Sequence, residues 1–541
     1  METNSNKQLL FFRLLAISAT AFVAFRIAWL SDDSLITLRT ALNITHGWGP
    51  GFNATESVQA YTHPLWFLMW TGLGALTNQW IWGVLFLGIA LTTSAVGVIV
   101  WHTKSVARIT LLTGLLILSN GFMEYSTSGL ENSLAYLVIA VAFALSLTFS
   151  KDARKRFVAR PIFLGLSFAA VFLTRFDLIV ILVPIGLVLL YVNRKDVKTL
   201  TLSLISFVAP LVIWFSWSWA SYHALLPNTF AAKRNVDIPQ TELFVQGLRY
   251  LSISFENDPV TLMLLVTGVF AGFIFGNLVL RAWTLGVVLY LLYIVSIGGD
   301  FMASRFLAVP CVVIAFVLAV IQLNLNGYAK NHSERERSGV LEGSIYAVFA
   351  VLILGVILIA TGLAGKTPVA LANYQSERWQ FEQNTNGSIS DERGFYVANG
   401  KSLKEMIDKL SLAYINPDIA PLGDGSGLNR TLREINKAAQ NWPYADGGFT
   451  LPSEVGAFCG GLGYLGMATG PITHLVDTCA LTDRFLAQQP FAPTEPFAWR
   501  PGHLARPVPE GYLDAIATGD PRRLTDQVQA FELKELWEKI R

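Results

Sequence analysis

Apolar runs of near membrane length recur along the first two thirds of the chain. They lie near 9–30, 80–101, 108–123, 131–149, 159–175, 177–192, 199–219, 259–276, 280–297, 305–323 and 344–363. A helix needs about 20 such residues to cross the hydrocarbon core, so about eleven crossings are predicted. The run PLWFLMWTGLGALT (Pro64 to Thr77) is shorter and reads as a re-entrant or interfacial segment outside that count. After Leu363 the pattern breaks into a globular stretch rich in Gly, Pro, Asn and charge. The predicted organisation is a transmembrane core over 1–364, with a first outer loop at 31–66, and a C-terminal domain over 365–541. In that domain 403–412 and 531–540 have helical period, whereas GAFCGGLGYLGMATG (Gly456 to Gly470) has a strand-and-turn look. The expected fold class is an α-helical polytopic membrane protein with a mixed α/β domain outside the membrane.

Composition agrees. Of 541 residues, 53% are hydrophobic and 14% charged, with mean hydropathy +0.47, which excludes a soluble domain with a polar skin. Charge sets the orientation. With the N-terminus cytoplasmic, the inner loops hold 14 Lys or Arg against 5 acids, and the outer loops 6 against 11. Lys and Arg resist translocation, so this bias supports eleven crossings; the opposite model exports the KDARKR run (Lys151 to Arg156). The first run is too long for a signal peptide, and no small-residue cleavage site precedes the DDS. An odd number of crossings puts the C-terminal domain outside. There Cys459 and Cys479 can pair as a disulfide or remain two buried thiols, while Cys311 falls in a span.

Five polar clusters fall at the outer ends of the spans: SDD (Ser31 to Asp33), STSGLEN (Ser126 to Asn132), LTRFD (Leu173 to Asp177), LLPNTFAAKR (Leu225 to Arg234) and GGDFMASRF (Gly298 to Phe306). Ionisable groups at that depth are costly unless paired or facing water, so a shared cavity is the functional reading. Each cluster also has a structural reading. Ser31 with two acids resembles a helix cap, Arg175 with Asp177 an ion pair, Glu131 a helix-start acid, and Lys233, Arg234 and Arg305 snorkelling side chains. Asp32 and Asp33 together favour function, either being able to act as base. His46 and His63 lack metal-ligand spacing and read as loop polar groups. The sequons at Asn43 and Asn53 carry no weight. Trp442 and Trp499 are either glycan platforms or core residues.

Outer acids beside cations and a large apolar body suit transfer from a lipid-linked donor. A carboxylate takes a proton from an acceptor hydroxyl, and cations stabilise the departing phosphate. No P-loop or Gly-rich dinucleotide turn occurs, which disfavours a pump or a nucleotide-sugar enzyme, and no nucleic-acid partner is expected. A lipid-linked-sugar transporter calls for midplane polar residues or broken inverted repeats, and neither is seen.

The order of these motifs, DD after the first span, YTHPLW at the end of the loop, then SGLEN, TRFD, LLPNTF and GGDFM, closely resembles the GT-C glycosyltransferases. The tail elements PITHLVDTCALTD and WRPGHLARPVPEGY extend the resemblance. Within that superfamily the chain resembles the terminal β-arabinofuranosyltransferases of actinobacterial arabinan and the bacterial membrane proteins named for flagellar motor control. The resemblance implies a multi-pass protein of the bacterial inner membrane, acting in cell envelope biogenesis. It also implies a polyprenyl-phosphate sugar donor, arabinofuranose on the arabinan branch, and an extracytoplasmic glycan or glycoconjugate acceptor. Carried onto this chain, the loop acids are Asp32 and Asp33. The substrate-binding residues are Arg39, His63, Glu131, Arg175, Asp177, Asn228, Lys233, Asp300 and Arg305. A divalent metal occurs among GT-C relatives, although no spacing here demands one. The exported domain is shorter than in the actinobacterial enzymes, which leaves the acceptor open. The second branch implies a different class, a non-enzymatic component supporting flagellar motor assembly or function.

Overall fold

A computed structural model describes residues 2–149, 159–321, 368, 389–399, 426–445 and 451–541. The expected span at 344–363, the Lys151 to Arg156 run and the helical period at 403–412 lie outside the described residues. Among the described residues fifteen α-helices precede residue 321: α1 (Glu2–Arg26), α2 (Asp32–Thr45), α3 (Pro64–Thr77), α4 (Trp80–His102), α5 (Val106–Leu118), α6 (Asn120–Glu124), α7 (Asn132–Phe149), α8 (Ala159–Thr174), α9 (Ile179–Val192), α10 (Val197–Tyr222), α11 (Asn228–Arg234), α12 (Gln240–Asn257), α13 (Pro259–Phe275), α14 (Leu278–Ser296) and α15 (Ala308–Val320). Each of the ten other apolar runs therefore carries a helix.

Four of these helices, α1, α4, α10 and α14, are long and apolar enough to cross a membrane, and α12 and α13 form a pair bent by 112°. Helices α5, α7, α8, α9 and α15 are apolar but shorter. The reason is visible at 108–123, where Ser119 ends α5 and its hydroxyl accepts the Phe122 N–H at 3.0 Å to start α6. Buried side chains of α5, α7, α13 and α14 surround α15, which is covered on all sides from Ala308 to Val317. By contrast, Leu204, Ile205, Val212 and Ile213 of α10 stand exposed, an apolar face suited to lipid rather than water.

The C-terminal segment packs on the loop between α1 and α3. Its parallel strands β1 (Glu454–Phe458) and β2 (Thr473–Asp477) pair Glu454 with Thr473 and Phe458 with Asp477. A helix over Leu462–Thr469 crosses between them, so the segment read as strand and turn is a strand followed by a helix. Parallel neighbours require such a crossover. Gly463 allows the helix to lie against α2, since a Cβ there would meet the Asp32 carbonyl oxygen at 2.0 Å. The last helix, Gln527–Ile540, returns to the same loop, where the Ser57 N–H donates to the Ile540 carbonyl at 2.7 Å.

Cys459 is bonded to Cys479, with Cα atoms 5.2 Å apart, and Cys311 is buried in α15. The bridge closes a sequence separation of 20 residues, for which restriction of the unfolded chain contributes about 3 kcal/mol. A reductant is therefore expected to lower the thermal midpoint of the purified protein. An unchanged midpoint with both thiols alkylated rules out that contribution.

Candidate active site

Four of the five polar clusters contact one another, and the fifth, Leu225 to Arg234, reaches the first loop. The Ser31 N–H donates to the Ser128 carbonyl at 2.8 Å, and the Asn228 N–H donates to the Gln59 carbonyl at 2.9 Å. The remaining clusters converge on Glu131, a buried carboxylate just before α7. Its Oε1 lies 3.6 Å from Arg175 Nε and 3.4 Å from Arg305 Nη2, and its Oε2 lies 3.2 Å from His63 Nδ1. Burial alone would raise this carboxyl, but the cationic surroundings, Arg305 foremost, hold it near 2. Burial pushes His63 down to about 4, so its ring is neutral at neutral pH, with Nε2 at 2.9 Å from the Thr37 hydroxyl. Glu131 thus bridges the two guanidinium groups.

Each arginine has a second carboxylate. Arg175 engages Asp177 through two contacts, Nε to Oδ1 at 3.2 Å and Nη2 to Oδ2 at 2.6 Å, the two-pronged geometry that fits a guanidinium to a carboxylate. The Tyr290 hydroxyl accepts from Arg175 at 2.9 Å and donates to Asp177 at 2.6 Å. Arg305 Nη1 reaches Asp300 Oδ2 at 3.4 Å. Phe306 lies under both guanidinium groups, 4.8 Å from Arg175 and 5.8 Å from Arg305.

The two loop acids occupy the first turn of α2, where the helix dipole favours carboxylates. The Ser31 hydroxyl makes no cap bond. Their side chains diverge, as neighbours on a helix do. Asp32 turns to the C-terminal segment, accepting the N–H groups of Gly463 at 3.1 Å and Tyr464 at 2.8 Å. It thereby caps the Leu462–Thr469 helix from outside, where Gly461 at the cap position has no side chain to offer. Asp33 is half-buried and accepts no hydrogen bond from a described residue. Burial pushes its carboxyl up, opposed by Arg305, Lys233 and Arg500 and reinforced by Asp300. Asp32 is pushed up to about 7, mainly by burial.

The structure therefore brings together Asp33, His63, Glu131, Arg175, Asp177, Asp300 and Arg305. Lys233 is exposed, without an ion pair among the described residues, and acts on Asp33 only through its charge. Two expected substrate contacts are tied to the tail instead. Arg39 is fully buried, donating to the Gly470 and Thr473 carbonyls at 3.0 and 2.8 Å with Phe52 beneath it. Asn228 donates to the carbonyls of Ala480, Leu481 and Asp483. Both side chains hold the tail against the loops, a use that a linear reading cannot distinguish from ligand binding. The aromatic candidates also pack: Trp442 donates to Asn43 at 3.1 Å and Trp499 to Glu242 at 2.5 Å. Among the described residues no group of three His, Cys, Asp or Glu side chains is placed to hold a metal, and Glu131, Asp177 and Asp300 each already face a guanidinium, so the donor set does not fit one.

Sequence reasoning passed over Ser390, Glu392 and Arg500. Ser390 pairs with Met302 as an isolated bridge beside the 298–306 loop, and Arg500 Nη2 lies 3.3 Å from Glu392 Oε1. Arg500 stood in the WRPGH segment, but no span-end position marked it.

No protein-family model matches the chain. A terminal beta-(1->2)-arabinofuranosyltransferase of Corynebacterium glutamicum is 25% identical over 486 residues, covering 81% of this chain and 66% of that protein. The Mycobacterium tuberculosis protein of the same name is 30% identical over 164 residues, covering 26% of this chain and 25% of its own length. The chain thus matches just under two thirds of one curated relative and a quarter of the other. Among solved structures, the crystal structure of ArnT from Cupriavidus metallidurans bound to undecaprenyl phosphate aligns with 96% of this chain and 90% of its own, at TM-score 0.45 and 13% identity. By its sequence, the chain is a distant homologue of the terminal beta-(1->2)-arabinofuranosyltransferases.

Proposed function

We propose that the protein is a GT-C membrane glycosyltransferase that moves a sugar from a polyprenyl-phosphate donor to an extracytoplasmic glycan or glycoconjugate. D-arabinofuranose is the proposed sugar, on the strength of the homologues' name. In this reading about eleven helices span the bacterial inner membrane, the N-terminus is cytoplasmic, and residues 365–541 lie outside. One observation carries the chemistry: Asp33, free of hydrogen-bond partners among the described residues, stands within the charge field of Arg305, Lys233 and Arg500.

Asp33 takes the proton from the acceptor hydroxyl as its oxygen forms a bond to the anomeric carbon. The bond from that carbon to the donor phosphate oxygen breaks, and the lipid phosphate leaves with the electron pair. Arginine N–H groups stabilise the charge that builds on it. Asp32 does not compete as base, because both its oxygens hold N–H groups of the tail. Arg175, Asp177 and His63 position Glu131, which holds Arg305 in place.

The test is transfer from a synthetic polyprenyl-phosphate arabinofuranose by purified protein. Turnover is expected, and absence of transfer from any polyprenyl-phosphate sugar removes the reading. The pH profile has a defined sign. The base works ionised, and burial raises Asp33, so kcat/KM rises with pH along a limb centred above the usual aspartate value of about 3.9. A limb centred at or below that value argues against Asp33.

A further inference from the structure

Arg500 reaches the 298–306 loop from the tail. The segment that carries it is pinned to α12, where Glu242 Oε1 accepts the Phe497 N–H and the Trp499 indole N–H, each at 2.5 Å. Arg249 stacks over Phe497 at 4.2 Å. Arg500 Nη2 donates to Ser390 Oγ at 2.5 Å and to Glu392 Oε1 at 3.3 Å. Its guanidinium lies 4.9 Å from the centre of the Phe301 ring. The neighbouring Asp300 faces Arg305, so the two arginines flank one dipeptide, Asp300–Phe301, from opposite domains.

Both guanidinium groups keep an idle donor. The Nε of Arg305 and the Nε of Arg500 are buried without a partner among the described residues, while the two side chains retain 12% and 32% exposure. A buried N–H without an acceptor is unfavourable, and an anion arriving from the exposed side relieves it. Guanidinium forks suit phosphate oxygens, and an aromatic face beneath each plane holds it rigid. Glu392 does not cancel this charge at neutral pH, since burial together with Asp33, Asp32 and Asp300 outweighs Arg500 and pushes it up to about 8.

We propose that Arg305 and Arg500 form a two-arginine seat for the phosphate of the lipid-linked donor, with the tail supplying half of it. The proposal rests on the transferase reading given above. It assigns the C-terminal segment a part in donor recognition, with Arg500 binding the phosphate while Asp33 acts on the acceptor.

The experiment is titration of the full-length protein in detergent with undecaprenyl phosphate, undecaprenol and inorganic phosphate, read by native mass spectrometry and thermal shift. Wild type is expected to bind undecaprenyl phosphate at least tenfold more tightly than either control. Arg500→Gln is expected to weaken that binding at least tenfold, while Arg522→Gln, at an exposed arginine paired with Asp520, leaves it unchanged. Unaltered binding by a cooperatively melting Arg500→Gln protein overturns the seat but leaves the transferase reading standing. No preference of wild type for the phosphate over the alcohol overturns the transferase reading itself, and inorganic phosphate binding as tightly as the lipid overturns the lipid assignment. Should Arg500→Gln not melt cooperatively, Arg500→Lys, which retains the charge facing Glu392, decides: a loss of at least threefold is expected, and none overturns the proposal.

Discussion

Asp33→Asn is expected to cut sugar transfer by about 10²–10⁴-fold, the contribution typical of a positioned general base, in a protein that still folds. The asparagine is nearly the same size and cannot accept the proton. Because Asp33 makes no hydrogen bond to a described residue, the change breaks nothing that supports the tail. Asp32→Asn is expected to behave differently. Its carboxylate holds two N–H groups of the Leu462–Thr469 helix, and an amide oxygen accepts less strongly than a charged carboxylate. The loss is therefore expected first in thermal stability, by about 1 kcal/mol as for a weakened helix cap, with a smaller loss of turnover. Steady-state transfer kinetics with melting curves for the two single variants separate the roles. Equal activity loss in both, or none for Asp33→Asn, places the base elsewhere.

Glu131→Ala is expected to be the most destabilising single substitution at the site, by about 3–5 kcal/mol, as when one partner of a buried ion pair is removed. Arg175 and Arg305 then face one another across the vacated position, each left with one ion-pair carboxylate among the described residues, Asp177 or Asp300. The pH dependence follows from the same contacts. Glu131 is held near 2 in the folded protein, against about 4.3 when unfolded. Its contribution is full above the unfolded value and is lost as pH falls through the folded one. Wild type is therefore expected to lose stability between roughly pH 4 and pH 2, and the Glu131→Gln variant to lack that part of the acid transition. Chemical denaturation at pH 7 and pH 3 measures both. A variant as stable as wild type at pH 7 shows that the arginines are compensated elsewhere.

The helices were legible because burial in lipid or in a helical core imposes the same long apolar runs, and ten of those runs carry helices in the structure. Helix lengths were less legible. The 108–123 run reads as continuous because a single serine hardly lowers its hydropathy, yet Ser119 turns the backbone and splits it. The Gly456 to Gly470 segment was misread for a related reason: its glycines suggested turns, whereas Gly463 serves to let a helix approach the backbone of α2.

What the chain's linear order determined was the membrane-type apolar framework, the polar clusters at the ends of its runs and the pair of acids opening the first loop. These are properties of composition and spacing, which transfer free energy and the cost of isolated charge make readable one segment at a time. Tertiary structure alone decided that Asp32 rather than Asp33 is committed to the tail, that Arg39 and Asn228 bond to the tail's carbonyls, and that Arg500 arrives beside Asp300 and Phe301 from almost two hundred residues away. Those outcomes depend on side-chain direction and on partners remote in sequence. A carboxylate or a guanidinium has the same formula whether it meets a helix N-terminus, a counter-ion or open space, and only packing selects among the three.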